Sequence, residues 1–300
     1  MATRASTINT DVTSTMILLA ILNLLLAVVG TAALPQGASL VARSTCSPRP
    51  KDLWQPVVGV SWNYQLLKPI SLLQTVDAKP KLWAIDLFDN NATTITVMQG
   101  KGHRIICYFS AGSYENWRPD AASFKPSDLG NDLDGWPGEK WLNLSSPNVR
   151  KIMKARLDLA VRKGCDGVDP DNVDGYDNDN GLDLTEADSV DYVMFLANEA
   201  HGRNLSIGLK NAGAIIDGVI DCMEWSVNEQ CVAYDECDTY QPFIQHHKPV
   251  FHVEYPKGTE TSNNKPVSAA TKKKYCQAED EAGFSTILKN INLDTWIETC

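Results

Sequence analysis

The chain contains no Cys-x-x-Cys pair and no zinc-type spacing of histidine and cysteine, so a structural zinc site is not expected. No Gly-x-Gly-x-x-Gly follows the first apolar run, which removes the commonest reason to expect an open dinucleotide-binding sheet. Internal repeats and low-complexity tracts are missing as well. So is an excess of basic residues: 27 Lys and Arg stand against 37 Asp and Glu, a net charge of −10. That balance argues against nucleic acid or an anionic membrane as the main partner, because both need a basic face. It suits a neutral or cationic ligand. Hydrophobic residues make up 43% and charged residues 21%, so the 300 residues can build a packed core as one large domain or two small ones.

The beginning of the chain reads as a leader rather than as fold. After Arg4, the run Met16 to Val29 is apolar except for Asn23, and Thr31 and Ala33 are small residues suited to a cleavage point. Residues 1–33 are therefore expected to be a secretory signal. A retained membrane anchor is the alternative, although the apolar run is short for a span of about 20 residues. Cleavage would remove Arg4 and Asp11 and leave the charge unchanged. Three Asn-x-Ser/Thr triplets, at Asn91, Asn143 and Asn204, agree with export. So does an even set of eight cysteines, all beyond residue 45, whose pairing the sequence leaves open. Cys231 and Cys237 are close enough to bridge a short loop, whereas Cys107 and Cys165 lie in apolar contexts and read as core thiols.

Residues 34–52 form a lead segment. Beyond it, eight short apolar runs recur, at 57–66, 82–88, 104–112, 167–172, 205–211, 224–231, 249–255 and 284–290. Helical patterns separate several of them. Ser146 to Gly164 has Pro147 in its first turn, with Val149, Ile152, Met153, Leu157, Ala160 and Val161 forming one apolar side. Thr185 to His201 starts with Thr185 as N-cap and Asp188 three residues on. Eight strands alternating with helices over residues 53–300 predict an α/β fold, a single (β/α)8 TIM barrel.

In such a barrel, chemistry gathers at the carboxyl ends of the strands. Read run by run, those ends offer Trp62 and Tyr64, then Asp86, then Tyr108 and Ser110. The fourth run offers Asp169, Asp171 and Asn172, with Asp174 just beyond. Lys210 and Asn211, Asn228 and Glu229, and Glu254 and Tyr255 complete the set. Paired carboxyl groups flanked by aromatic rings suit glycoside hydrolysis, where one carboxyl protonates the leaving oxygen and the other attacks or acts as base. Neighbouring carboxylates raise one another's pKa and a lysine lowers it. Structural readings stand beside these. Asp174 and Asp177 can cap a helix or close a turn, Asp166 can form a turn or ion pair, and Trp62 can fill the core. Lys210 can simply pair with Asp171 or Glu229. Glu229 and Glu254 lie within apolar strands, where a buried carboxylate without a task is costly. The stretch from Asp177 to Gly181 has calcium-loop composition, but its glycine is fifth rather than sixth and no Glu stands at position twelve, so no metal and no cofactor is expected.

Six segments, "CYFSAGSYENWRPD" (107–120), "GWPGEKWLNL" (135–144), "GCDGVDPDNVDGY" (164–176), "GLKNAG" (208–213), "VNEQC" (227–231) and "KPVFHVEY" (248–255), resemble glycoside hydrolase family 114. The resemblance spans nearly the whole chain after the leader. It implies a secreted (β/α)8 barrel and an endo-α-1,4-galactosaminidase activity on galactosamine-containing polymers. Carried over by motif, it implies Asp171 as nucleophile and Glu229 as acid/base. Trp62, Tyr64, Asp86, Tyr108, Asp169, Asn172, Asp174, Lys210, Asn211, Asn228, Glu254 and Tyr255 are then expected to bind substrate. Asn143 stands where the family often has Asp after "WL", which puts an acidic role at that position in doubt. The expected partner is a cationic, galactosamine-rich polysaccharide, cut by a monomer that is extracellular or associated with the cell wall. Other α-linked glycans, or an inactive barrel that binds polysaccharide, are the alternative readings.

Overall fold

The computed structural model describes residues 46–72, 79–259 and 261–300. The leader and the first part of the lead segment lie outside the described residues. In chain order the strands are β1 (Trp62–Gln65), β2 (Leu82–Asp86), β3 (Arg104–Ser110), β4 (Ser113–Glu115), β5 (Leu129–Asp132), β6 (Glu139–Leu142), β7 (Gly167–Asp171), β8 (Ser206–Lys210), β9 (Trp225–Glu229), β10 (Val250–Glu254), β11 (Ser285–Lys289) and β12 (Ile297–Thr299). The helices are α1 (Ala92–Gly100), α2 (Pro147–Lys163), α3 (Glu186–His201), α4 (Ile216–Val219), α5 (Cys231–Tyr234), α6 (Gln241–Gln245) and α7 (Ala269–Cys276).

Each of the eight apolar runs contains one strand of a parallel sheet ordered β1-β2-β3-β7-β8-β9-β10-β11, with β12 added antiparallel at the end. The two edges meet through side chains and loops. Trp62 Nε1 donates to the Ser285 carbonyl at 2.6 Å, Lys289 Nζ reaches Asn63 Oδ1 at 3.3 Å, and Leu66 N–H bonds the Leu293 carbonyl at 3.0 Å. The result is a nearly closed (β/α)8 barrel. Between β3 and α2 the chain inserts a small antiparallel sheet, β4-β6-β5, which the apolar periodicity does not announce.

The helix boundaries follow their caps. Ser146 accepts from Asn148 and Val149 N–H, and Gly164 closes α2 in the left-handed region at φ 83°. Thr185 and Asp188 form the reciprocal capping box of α3. Val161 is 45% exposed, however, because it falls off the stripe traced by Val149, Ile152, Met153, Leu157 and Ala160. Arg156 occupies that stripe instead, fully buried, with Nε paired to Asp120 at 2.8 Å and Nη1 on the Ser110 carbonyl at 2.6 Å.

Four disulfides join described residues: Cys46–Cys222, Cys107–Cys165, Cys231–Cys237 and Cys276–Cys300. Cys107 and Cys165 are therefore not core thiols; they tie β3 to the residue pair preceding β7. Cys46–Cys222 and the Arg49–Glu224 ion pair at 2.9 Å draw the lead segment across the amino-terminal end of the barrel. There Trp54 packs on Trp225. Inside the barrel, Trp62, Tyr64, Phe251, Val227 and Ile287 surround the wholly buried Trp225. Its indole fits because β7 and β8 carry glycines against it. A methyl at Gly208 would lie 1.9 Å from Trp225 Nε1, and one at Gly167 would lie 2.6 Å from Cη2.

Gly208→Ala should therefore overpack the barrel and destabilise it by about 1–3 kcal/mol or more. Val161→Ala, on the exposed side of α2, should stay within about 0.5 kcal/mol of wild type. Urea midpoints of the two variants check this, and a Gly208→Ala midpoint equal to that of wild type would refute the packing argument.

Candidate active site

Strands β7, β8 and β9 are neighbours, so their last residues, Asp171, Lys210 and Glu229, converge at one rim of the barrel. Lys210 is 2% exposed and places its ammonium between the two carboxylates, 3.2 Å from Asp171 Oδ1 and 2.5 Å from Glu229 Oε2. Those two oxygens can be no farther apart than the sum of these distances. Each carboxylate also receives a tyrosine hydroxyl. Tyr108 donates to Asp171 Oδ2 at 2.8 Å, and Tyr255 donates to Glu229 Oε1. Asn172 N–H completes the set on Asp171 Oδ1 at 2.7 Å. Asn211 grips Glu229 twice, with Nδ2 on Oε2 at 3.3 Å and Oδ1 accepting the Glu229 N–H at 2.9 Å.

The electrostatics follow from that sharing. Burial works against the charge of Lys210, but Asp171, Glu229 and Asp169 outweigh it and hold the lysine pKa above its ordinary value. Burial pushes Glu229 up, yet Lys210, Tyr255 and Asn211 hold it below the usual carboxylate range. Burial and the surrounding carboxylates push Tyr64, Tyr108 and Tyr255 well above an ordinary phenol, so all three remain hydroxyl donors. Asp169 is completely buried beneath the pair. Tyr64 donates to its Oδ2 at 3.2 Å, while Oδ1 has no partner. Burial first, and then Asp171, raise its pKa to about 7 against the opposing pull of Lys210. Asp174 stands at about 6, for the same two reasons in the same order.

Tyr64, Tyr108, Asp169, Asn172, Asp174, Lys210, Asn211 and Tyr255 thus gather around Asp171 and Glu229. Four other candidates do not. Trp62 is at the amino end of β1, because the run beginning at residue 57 first makes a turn at Gly59, φ 79°; its ring is barrel core. Asp86 pairs with Arg118 at 2.8 Å and accepts the N–H groups of Phe88 and Asp89, so it closes a turn. Glu254 Oε1 accepts the Val232 and Ala233 N–H groups at the start of α5 and meets His252 Nε2 at 3.0 Å. Asn228 caps the same segment through Cys231 N–H at 3.1 Å. Burial had suggested a task for Glu254, and its partners here are the first N–H groups of α5 and His252. Among the described residues, the one grouping of potential metal ligands is Cys231, Cys237 and His252, and both of its cysteines are committed to a disulfide.

From Glu229 a groove of about 1470 Å³ runs outward over the loops that follow β7, β8 and β9. Trp136, Asp174, Tyr176, Tyr234 and Glu236 line it, and none of its lining residues is a lysine or arginine. Trp136 and Tyr234 are 58% and 67% exposed, a face presented to solvent rather than to a core. Apart from Asp174, strand ends do not reveal these loop residues. Sequence reasoning also passed over Glu139, buried on β6 and raised to about 7, above all by burial. Its one visible signal was a charged residue opening the apolar-aromatic strand "EKWL".

Residues 43–300 match the sequence model of glycoside-hydrolase family GH114. Among solved structures, the chain is similar to Aspergillus fumigatus Ega3, determined in complex with galactosamine. The two are 59% identical with a TM-score of 0.81, over 85% of this chain and 100% of that one. The glycoside hydrolase domain of Pseudomonas aeruginosa PelA shares the fold, with a TM-score of 0.62 at 11% identity over 80% and 98% of the respective chains. An uncharacterized protein of Deinococcus radiodurans is 27% identical over 208 residues, 61% of this chain and 68% of that one. A barrel whose strand ends bring two carboxylates onto one lysine, matched along its described length by a family model, belongs to glycoside-hydrolase family GH114.

Proposed function

We propose that the enzyme hydrolyses α-1,4-linked galactosamine-containing polysaccharide in endo fashion with retention of configuration, using Asp171 as nucleophile and Glu229 as acid/base. The observation that carries this reading is the single ammonium shared by the two carboxylates. Bridging by one Nζ keeps the two bridged oxygens short of the about 6.5–9.5 Å that an inverting pair needs to admit water, which favours a retaining pair, about 5–5.5 Å apart. Asp171 is tied at both oxygens by donors from the floor and wall, which suits a nucleophile held in one orientation. Glu229 faces the groove, where a leaving oxygen would sit. In the free enzyme Lys210 keeps Glu229 deprotonated. Acid catalysis therefore requires Glu229 to take up a proton from solvent as bound substrate weakens its contact with Lys210, so that it can pass that proton to the leaving oxygen.

The substrate class follows from the groove and from Ega3, whose complex holds galactosamine. The groove exceeds the size of an ordinary small-molecule pocket and carries carboxylates without lining cations. An unacetylated galactosamine unit is cationic, and such a field attracts it. Trp136 and Tyr234 offer flat apolar faces for the C–H surfaces of sugar rings. The four disulfides fit an oxidising compartment and hence a secreted or wall-associated enzyme.

Asp171→Asn and Glu229→Gln should each lower kcat by about 10²–10⁴-fold while polymer binding persists. The first product released by wild type should keep the anomeric configuration of the substrate by NMR. Full activity in either variant, or an inverted product, would overturn the assignment. Wild-type protein that binds polymer without ever cutting it would favour the inactive-barrel alternative.

Asp174 gives a pH dependence with a defined sign. Its pKa of about 6 lies above the ordinary carboxylate value, so its charge disappears as pH falls through that point. KM for a deacetylated polymer should therefore rise below about pH 6 and rise further with added salt. KM for the fully acetylated polymer should do neither. Equal behaviour of the two polymers would exclude charge as the basis of recognition.

A further inference from the structure

We propose that Glu139 is a positioning residue of the hydrolytic site: it anchors a hydrogen-bond chain through Ser113, Ser110 and Asn172 that holds the Asn172 N–H on the Asp171 carboxylate. The inference rests on the role given to Asp171 above.

Glu139 opens β6 in the inserted sheet and is 7% exposed. A carboxylate so placed is costly unless paired. Arg118 acts on it, but that guanidinium is bound to Glu115 at 2.7 Å and to Asp86 at 2.8 Å. The hydrogen bond that Glu139 does accept comes from Ser113 Oγ, at 2.7 Å on Oε2. Glu115 and Asp171 also face it and raise its pKa further.

Counting protons fixes the direction of the chain. The Asn172 side-chain amide has two hydrogens and gives one to Ser110 Oγ and one to Ser113 Oγ, both at 2.9 Å. Both serine oxygens therefore accept. The two serine hydroxyls are themselves in contact, so the Ser110 proton goes to Ser113 and the Ser113 proton goes to Glu139. An acceptor at the end is what orders the row.

The other end of the row matters to the chemistry. Asn172 sits at φ 59°, a left-handed conformation that asparagine adopts more readily than most residues with a Cβ. In that conformation its backbone N–H points back at Asp171 Oδ1, 2.7 Å away. Gly112 leaves room for the turn: a methyl there would lie 1.6 Å from the Asn172 carbonyl oxygen. The serine pair holds the asparagine side chain, the asparagine backbone holds the carboxylate, and Glu139 holds the serine pair.

The test measures kcat and KM on the galactosamine polymer for Glu139→Ala, Glu139→Gln and Ser113→Ala, with Asp171→Asn alongside. Glu139→Ala should lose roughly 10–100-fold in kcat, the scale of a misplaced reacting group, with KM within about two-fold of wild type. Glu139→Gln should restore most of kcat, since its amide oxygen can accept the serine proton. Ser113→Ala should reproduce Glu139→Ala, and it decides the matter alone if Glu139→Ala does not fold. The proposal is overturned if the alanine variants keep kcat within about two-fold, if Gln is as damaging as Ala, or if the loss falls on KM. An active Asp171→Asn would instead remove the reading on which the proposal rests. An inactive Asp171→Asn beside fully active Glu139→Ala and Ser113→Ala removes only the positioning role.

Discussion

Two carboxylates at the mouth of a barrel, buried within hydrogen-bonding distance of one amine, can be ionised together only if that amine is charged. Lys210 meets this condition, and much of the neighbouring structure serves to keep it in place. It is the last residue of β8, one pleat beyond Gly208 on the same inward face. Gly208 admits the indole of Trp225 beneath it, and Trp225 is in turn floored by Trp54 and the disulfide-anchored lead segment. The position of the ammonium is thus built up from the amino end of the barrel. Tyrosines, the Asn172 N–H and the Asn211 amide supply the remaining donors, which is economical in charge: a neutral donor orients a carboxylate without adding a cation that would weaken the one from Lys210.

Strand positions were legible in the sequence because a parallel barrel strand is buried on both faces and reads as an apolar run. Asp171, Lys210 and Glu229 were legible for the same reason, since each ends such a run where the barrel places its chemistry. What the sequence could not show was who stands opposite. Asp86 and Glu254 have the same signature as Glu229, an acid closing an apolar strand. Their partners are Arg118 from the loop after β4 and the first N–H groups of α5, and neither pairing follows from spacing. Trp62 was displaced by a boundary error, because the turn at Gly59 delays β1. Glu139 was hidden for a different reason: it belongs to a three-stranded insert whose short strands carry too little periodicity to be read.

The same distinction explains Cys107 and Cys165. In sequence they are two small apolar residues 58 positions apart, and only the pairing of β3 with β7 brings them together. Long-range partners are the general class of missing information, whether the partner is a sulfur, a guanidinium or a helix terminus.

The acids that are paired and those that are not divide the labour at the site. Asp171 and Glu229 each accept the Lys210 ammonium at one oxygen and neutral donors at both. Asp169 has one phenol and an oxygen with no partner, and burial lifts it to about 7. With Asp169 neutral, the cluster holds two negative charges against one positive charge. An oxocarbenium-like transition state brings positive charge to that spot, and a fixed excess of one negative charge in a water-poor cavity favours its arrival. With Asp169 ionised the excess would be two, and the pull on Lys210 would be shared three ways. The wholly buried aspartate beneath the pair therefore sets how much of the lysine's field Asp171 and Glu229 receive, although it does not line the groove.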